Sequence, residues 1–325
     1  MKKIETMLGP IDSKSLGKTL IHEHFLLAHS GCEGDQTVAK FDRNACVQKG
    51  VEMARQVSEY GVKTVVDATT NEYGRNPEIL REISEKSGLN IICSCGFYRE
   101  AGGGSRYFKH LSMFVDGSEA VYELFKKEVT EGIRDTGIKP GIFKLATGKG
   151  EITDYEKMFF KAAARVSKED GIPIFTHTDE GTMGPQQADL LISQGADPKR
   201  ILIGHSCGNT DLAYLTSMLQ KGVYIGFDRF GLEGVLGTPR DDQRQIALIE
   251  LINLGYVKQI MISHDWINYW NARPIVSQTV AKLLPKWKPT HIFENILPAL
   301  QDAEITEEQI STLLVDNPRR FFEGA

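Results

Sequence analysis

The sequence predicts an α/β chain folded as a (β/α)8 TIM barrel, and three observations carry that expectation. Short β-branched or apolar runs alternate with longer segments of helical period, the pattern of parallel strands joined by helical crossovers. Eight such runs occur, the number that closes a barrel. No Pro/Gly/Ser-rich linker, low-complexity tract or internal repeat divides the 325 residues. Residues 1–325 therefore read as one domain, a length that barrels commonly reach.

The runs, in order, are Lys18 to Phe25 (KTLIHEHF), Lys63 to Thr69 (KTVVDAT), Asn90 to Phe97 (NIICSCGF) and Gly141 to Ala146 (GIFKLA), followed by Pro173 to Thr178 (PIFTHT), Arg200 to His205 (RILIGH), Val223 to Phe227 (VYIGF) and Gln259 to Asp265 (QIMISHD). Helix punctuation lies between them. Asn76-Pro77 is an N-cap followed by a proline at the first helical position, and Gly88 ends that helix. Thr153-Asp154, Asn209 and Gly222 punctuate similarly. Two connections are long: DRFGLEGVLGTPRDDQRQ after the seventh run, and WINYWNARPIVSQTVAKLLPKWKP after the eighth. Loops of that length are often functional, and these two fall on the face where barrels keep their active sites.

Composition excludes several classes. Hydrophobic residues at 41% and charged residues at 25% are ordinary for a folded soluble chain. No apolar run is long enough to cross a bilayer, and MKKIETMLGP lacks the apolar stretch of a signal peptide, so a cytoplasmic location is expected. Five cysteines, Cys32, Cys46, Cys93, Cys95 and Cys207, lack zinc-ribbon spacing and are expected to be reduced. A net charge of −5 with the signs interspersed offers nucleic acid no basic patch. The expected partner is a small molecule.

The chemistry gathers at the strand ends. His22 and His24 are two apart on the first strand, so they point the same way and can converge in the barrel mouth. Alone, an H-x-H pair is equally well two ordinary half-buried histidines. His177 and His205 close the fifth and sixth strands and Asp265 the eighth, and this joint placement is far more specific. Lys144 sits in GIFKLAT among apolar residues, where an uncompensated ammonium is costly to bury. A lone strand lysine is ordinarily a rim residue with its head in solvent. In this company a second account applies. Burial lowers a lysine pKa, the neutral amine can add carbon dioxide, and the carbamate offers two oxygens able to bridge two cations.

This set, H-x-H on strand one, Lys on strand four, His on strands five and six and Asp on strand eight, resembles the amidohydrolase superfamily, specifically its phosphotriesterase branch, over nearly the whole chain. The resemblance implies two divalent ions, zinc foremost and iron, cobalt or manganese as alternatives. It implies that His22, His24 and Asp265 bind one, that His177 and His205 bind the other, and that carboxylated Lys144 (N6-carboxylysine) bridges them with a hydroxide. That hydroxide is the implied nucleophile, with Asp265 moving its proton to the leaving group. A homodimer is also implied.

Within the branch the chain is most similar to the phosphotriesterase-like lactonases, through Tyr98 in CGFYRE, Arg229 in GFDRFG, the SHD before Trp266 and Trp270, and the closing LLVDNPRRFF. This implies hydrolysis of N-acyl-homoserine lactones or γ/δ-lactones, a quorum-quenching chemistry, with weak promiscuous phosphotriesterase activity. Tyr98 would line the lactone site and Arg229 would order the strand-seven loop, while Leu232, Trp266 and Trp270 would wall an acyl tail. Rim packing for Tyr98, a salt bridge to Asp228 or a loop carboxylate for Arg229 and plain loop packing for the others are the bland readings. GHSCGNTDL and EGTMGPQQ depart from the lactonase pattern and bear on substrate preference. His264 is expected to face away from the site, and His29, His110 and His291 to be solvated or packing residues.

Four other readings remain at this point. His177-Thr178-Asp179-Glu180 gives the H-x-x-E of mononuclear deaminases, which have no use for Lys144. A phosphotriesterase proper shares the same attack. A phosphorylated sugar-lactone hydrolase needs cations at the mouth, for which Lys149, Arg99 or Arg229 can serve. A non-catalytic binding barrel would have no reason to keep the full ligand set.

Overall fold

The computed structural model describes residues 2–235 and 237–325. Its central sheet is parallel throughout, and all eight predicted runs are strands of it: β1 (Lys18–His24), β2 (Val62–Asp67), β3 (Asn90–Cys95), β4 (Ile142–Thr147), β5 (Ile174–Thr178), β6 (Ile201–Gly204), β7 (Tyr224–Phe227) and β8 (Ile260–Ile262). Each strand pairs with the next in sequence, and the short segment Trp266–Ile267 pairs with β1 at the far edge. Because Trp266–Ile267 continues the chain from β8, the ring closes on itself. The eighth run is shorter than expected because the chain leaves the ladder at Ser263 and turns at Asp265, whose φ is +55°. The amide of Asp265 then donates to the His22 carbonyl (3.0 Å) and that of Asn268 to the His24 carbonyl (2.8 Å).

Every strand contributes one side chain to the interior cluster: Ile21, Val66, Ile92, Ile142, Phe175, Leu202, Tyr224 and Met261, in order. Ile4, Leu16, Phe321 and Phe322 join the same cluster. A larger apolar cluster between strands and helices takes the alternate strand residues, such as Val65, Ile91, Phe143, Ile203 and Ile225. Strands buried on both faces read as continuous apolar runs rather than as alternations, which is why they were visible in the sequence. Lys144 lies two residues beyond Ile142 and so shares its face, above the apolar layer.

The helices follow their punctuation. Asn76 accepts from the Ile79 amide, Pro77 opens the helix Pro77–Ser87, and Gly88 ends it in the left-handed conformation. Thr153 and Glu156 form a reciprocal capping box at the helix Asp154–Asp170. At the helix Leu212–Leu219 the cap is Asp211 rather than Asn209, whose side chain accepts from the Asp211 amide one turn earlier. The two long connections are partly structured. The last part of the first is the helix Asp241–Asn253, and the second holds Trp266–Ile267 and the helix Pro274–Leu283. Leu236, in the first, lies outside the described residues. Among the described residues no helix is long and apolar enough to cross a membrane.

Candidate active site

The strand ends bring His22, His24, Lys144, His177, His205 and Asp265 together on the floor of one cavity of about 420 Å³. Ring centroids lie 5.1 Å apart for His22 and His24, 4.9 Å for His22 and His205, and 4.5 Å for His177 and His205. All four imidazoles and Lys144 are buried. His22 and His24 face the same cavity, as their spacing predicts, although the β1–β2 register is irregular between Leu20 and Glu23.

The far nitrogens of three rings are occupied. His22 Nδ1 lies 2.9 Å from Asp228 Oδ2, and His205 Nδ1 lies 3.1 Å from Asp228 Oδ1, so one carboxylate after β7 orients two histidines, one on β1 and one at the end of the neighbouring β6. Thr69 Oγ1 donates to the Leu26 carbonyl, so its contact with His24 Nδ1 at 2.8 Å is a bond that the imidazole donates. These contacts turn Nε2 of each ring toward the cavity. Nε2 of both His22 and His24 then lies 3.0 Å from Asp265 Oδ1, and Nε2 of His205 lies 3.7 Å from Oδ2. Nitrogen lone pairs converging on a carboxylate repel unless a positive charge sits among them. A divalent cation satisfies this donor set, and orienting carboxylates and hydroxyls behind the histidines are what metal ligands ordinarily carry. His22, His24 and Asp265 form one group able to hold a metal, and His22, His205 and Asp228 a second.

Electrostatics follow from the burial. Desolvation opposes charge on His22, but Asp265 and Asp228 outweigh it and raise its pKa. Burial and the nearby Arg229 hold His205 far below the ordinary histidine value, and burial takes His177 down to about 3. Desolvation would raise the Asp265 pKa; His22 and His205 outweigh it and hold the group well below the carboxylate range. Lys144 is lowered to about 7, chiefly by burial, with Asp228 and Asp265 opposing. Its Nζ sits 3.6 Å from the Phe175 ring centroid and 3.4 Å from the Thr176 carbonyl, with no carboxylate in salt-bridge contact among the described residues. It is not a rim lysine with its head in solvent, and its neutral amine is accessible near pH 7.

Tyr98 and Arg229 both reach the floor. Tyr98 Oη is 3.2 Å from His177 Nε2, and burial raises its pKa. Arg229 Nε donates to Asp265 Oδ2 at 3.0 Å, so its partner is Asp265 and not the adjacent Asp228. The loop carrying Arg229 is braced from below by Arg244, fully buried, which donates to the Arg229 and Leu232 carbonyls and pairs with Asp241.

Above the floor the cavity wall is apolar. Leu232 and Trp270 line it as expected, together with Leu27, Val235, Ile267, Leu284 and Trp287. Trp266 does not. Side chains alternate across the two-residue strand, so Ile267 faces the cavity and Trp266 packs behind the wall with its ring centroid 5.2 Å from that of Trp287. His29 lies at the cavity edge against Tyr73 and Trp270, a place the sequence did not suggest. His264 faces away, with Nδ1 2.7 Å from Glu23, and His291 is buried on Asp241; neither lines the cavity. Glu180, the carboxylate a deaminase motif would need, points to Lys149 and does not line the cavity.

Asp228, Glu23 and Thr69 were not singled out from the sequence. The one available signal was for Asp228, an acid directly after β7 in register with the other strand-end groups.

The model of the phosphotriesterase family matches residues 2–322. A phosphotriesterase homology protein of Mycobacterium tuberculosis is 33% identical over 326 residues, covering 99% of this chain and 98% of its own. An aryldialkylphosphatase of Saccharolobus solfataricus is 33% identical over 317 residues, covering 96% of each. Among solved structures, a mutant PTE-like lactonase of Deinococcus radiodurans superposes with a TM-score of 0.96 at 48% identity, covering 98% of this chain and 99% of that one. The organophosphorus hydrolase of the same organism gives 0.95 at 47%, covering 98% and 96%. The chain belongs to the phosphotriesterase family and is a hydrolase of that type.

Proposed function

We propose that this hydrolase is a binuclear metal-dependent lactonase acting on N-acyl-homoserine lactones or γ/δ-lactones, with weak phosphotriesterase activity alongside. The observation that carries the reading is one cavity with a floor of imidazoles, Lys144 and Asp265 beneath a wall of apolar side chains, the shape a polar ester head with an alkyl tail requires. His22, His24 and Asp265 would hold one ion, His177 and His205 the other, and Lys144, as its carbamate, would join the two. When bound, two divalent ions, zinc foremost and iron, cobalt or manganese as alternatives, activate water at neutral pH and polarise the substrate's acyl or phosphoryl oxygen.

The residues divide the remaining work. Asp265 accepts the proton of the attacking water and passes it to the leaving oxygen; the water oxygen bonds to the carbonyl carbon, the ring C–O bond breaks, and a hydroxy acid results. Tyr98, kept a neutral phenol by burial, presents a hydrogen-bond donor where floor meets wall. Arg229 holds the strand-seven loop against Asp265, and Leu232 and Trp270 take the tail.

The name of the Saccharolobus relative favours a phosphotriesterase proper as the second reading. Phosphorylated lactones are disfavoured because each candidate cation is already engaged: Arg99 by Asp179 at 3.3 Å, Lys149 by Glu180 and Arg229 by Asp265. The deciding experiment compares kcat/KM for acyl-homoserine lactones, γ- and δ-lactones, a phosphorylated lactone and an activated phosphotriester. Lactones are expected to lead by about tenfold or more, equivalent to 1.4 kcal/mol of transition-state binding. A leading triester would overturn the lactonase assignment.

A further inference from the structure

Glu23 stands between His22 and His24 in sequence, yet it points away from the cavity and is fully buried. Among the described residues no lysine or arginine pairs with it. Its charge is met by four donors, all from the segment that follows β8. Oε1 accepts from Ser263 Oγ (2.8 Å), the His264 amide (3.2 Å) and His264 Nδ1 (2.7 Å), and Oε2 accepts from the Trp266 amide (2.7 Å). His264 Nε2 accepts from the Ile292 amide, so Nδ1 carries the hydrogen and is a true donor. Ser263 Oγ in turn accepts from the His22 amide at 3.0 Å.

The location of these bonds is informative. β8 ends at Ile262, so between Ile262 and the short pairing of Trp266–Ile267 with β1 the seam is bridged by Glu23, the His22–Ser263 bond and the Asp265–His22 backbone bond, where a continuous ladder would otherwise run. The two amides that Glu23 captures belong to the residues on either side of Asp265. Glu23 holds the peptide after Asp265 through the Trp266 amide and the residue before it through the amide and ring of His264, while the 264–265 peptide is held by the His22 carbonyl and Trp287 Nε1. Together these bonds fix Asp265 in its left-handed backbone, uncommon for an L residue although aspartate is among those that tolerate it. That conformation brings Asp265 Oδ1 within 3.0 Å of both His22 Nε2 and His24 Nε2. A buried carboxylate without a counter-cation is costly, and its four directed bonds indicate what it is kept for.

We propose that Glu23 is a positioning residue that sets the metal-binding geometry of Asp265 by clamping residues 263–266 across the barrel seam. The inference rests on the binuclear reading above, and its test separates the two. Zinc affinity is measured by competition with a chromophoric chelator for the full-length wild type, Glu23→Gln, Glu23→Asp and the control Glu128→Gln, whose buried carboxylate pairs with Arg75 away from the cavity. Thermal stability of the metal-free proteins is recorded in parallel.

Loss of a group behind a metal ligand weakens binding about 10–100-fold, and that is the expectation for Glu23→Gln. Glu23→Asp, one carbon shorter, is expected to fall between it and the wild type. Glu128→Gln is expected to lose stability while its zinc affinity stays within about threefold of wild type, a split that a general loss of packing would not produce. Zinc affinity within about threefold of wild type in Glu23→Gln, or in Glu23→Asp should Glu23→Gln not fold, overturns the proposal. Failure of both variants to fold overturns it too, making Glu23 a folding residue. A wild type that takes up no zinc overturns the binuclear reading itself and this inference with it.

Discussion

On the floor of the cavity, His22, His24 and His205 each have their second ring nitrogen engaged by Asp228 or Thr69, and Asp265 is held by backbone and side-chain bonds from β1. On the wall, Leu232, Leu284 and Trp287 form a small separate cluster, held by apolar contact with Val235, Ile267, Trp270 and Val280. The floor stands on strand ends and the wall on the two long connections. Directed bonds leave a floor side chain one workable position, so an atom-sized change is felt at once. Apolar contact is tolerant of shape, and a wall residue can be exchanged for another of similar size with modest effect. Chemistry and selectivity are thereby separated by the kind of force that holds each.

The largest break in that contrast is expected at Lys144. Lys144→Ala should lose most bound metal and, since metal polarisation supplies several kcal/mol to the transition state, about 10³-fold or more in kcat/KM. Added short carboxylates should restore part of both, and full activity without rescue would remove Lys144 from the ligand set. Next is Asp228→Asn, which replaces one of the two accepting oxygens with a donor and so loses at least one imidazole bond; a metal affinity weaker by about 10–100-fold in chelator competition is expected. If Asp228→Asn binds metal as the wild type does, the floor is less constrained than its bonds suggest.

Wall substitutions should act differently. Leu232→Ala and Trp270→Ala are expected to raise KM for long-chain acyl lactones about tenfold, from roughly 1–3 kcal/mol of lost apolar contact, with kcat little changed. Equal losses for short γ-lactones would show that the wall also serves the chemistry.

The smallest effect concerns the junction of floor and wall, where the half-buried Glu72 accepts from the Tyr98 amide. Burial pushes its carboxyl up to about 7, against an ordinary value of 4.5. The folded state therefore holds a proton that the unfolded state releases. The associated stability is present below pH 4.5 and lost as pH rises through about 7. Glu72→Gln should remove that dependence, seen as a change of about 2–4 °C in the Tm difference between pH 5 and pH 8. An unchanged Tm profile would place the titration elsewhere.

The strands were legible in the sequence because runs such as IICSC and IFTHT are short, free of ionised side chains, rich in β-branched or small apolar residues and buried on both faces, and the helices because Asn76-Pro77 and Thr153 announce their starts. The six floor residues stood out as rare chemistry at strand ends. What lies around them was hidden for identifiable reasons. Asp228 sits beside Arg229, so a local salt bridge masked its bonds to His22 on β1 and to His205 on the neighbouring strand end. Glu23 alternates away from His22 and His24, and nothing in the sequence shows that the interrupted β8 turns that face into a seam. Trp266 follows SHD and was expected with Trp270 and Leu232 on the wall, while the break at Asp265 sets which of Trp266 and Ile267 faces inward. Backbone turns at single residues, such as those at His205 and Asp265, leave no mark in composition or period.

The most direct test of the binuclear account is metal stoichiometry. Wild-type chain produced with zinc, manganese or cobalt supplied, and freed of loosely bound ions, is predicted to hold two divalent ions per chain, and Lys144→Ala fewer than one. Fewer than one ion per chain in the wild type, under every metal supplied, would contradict it.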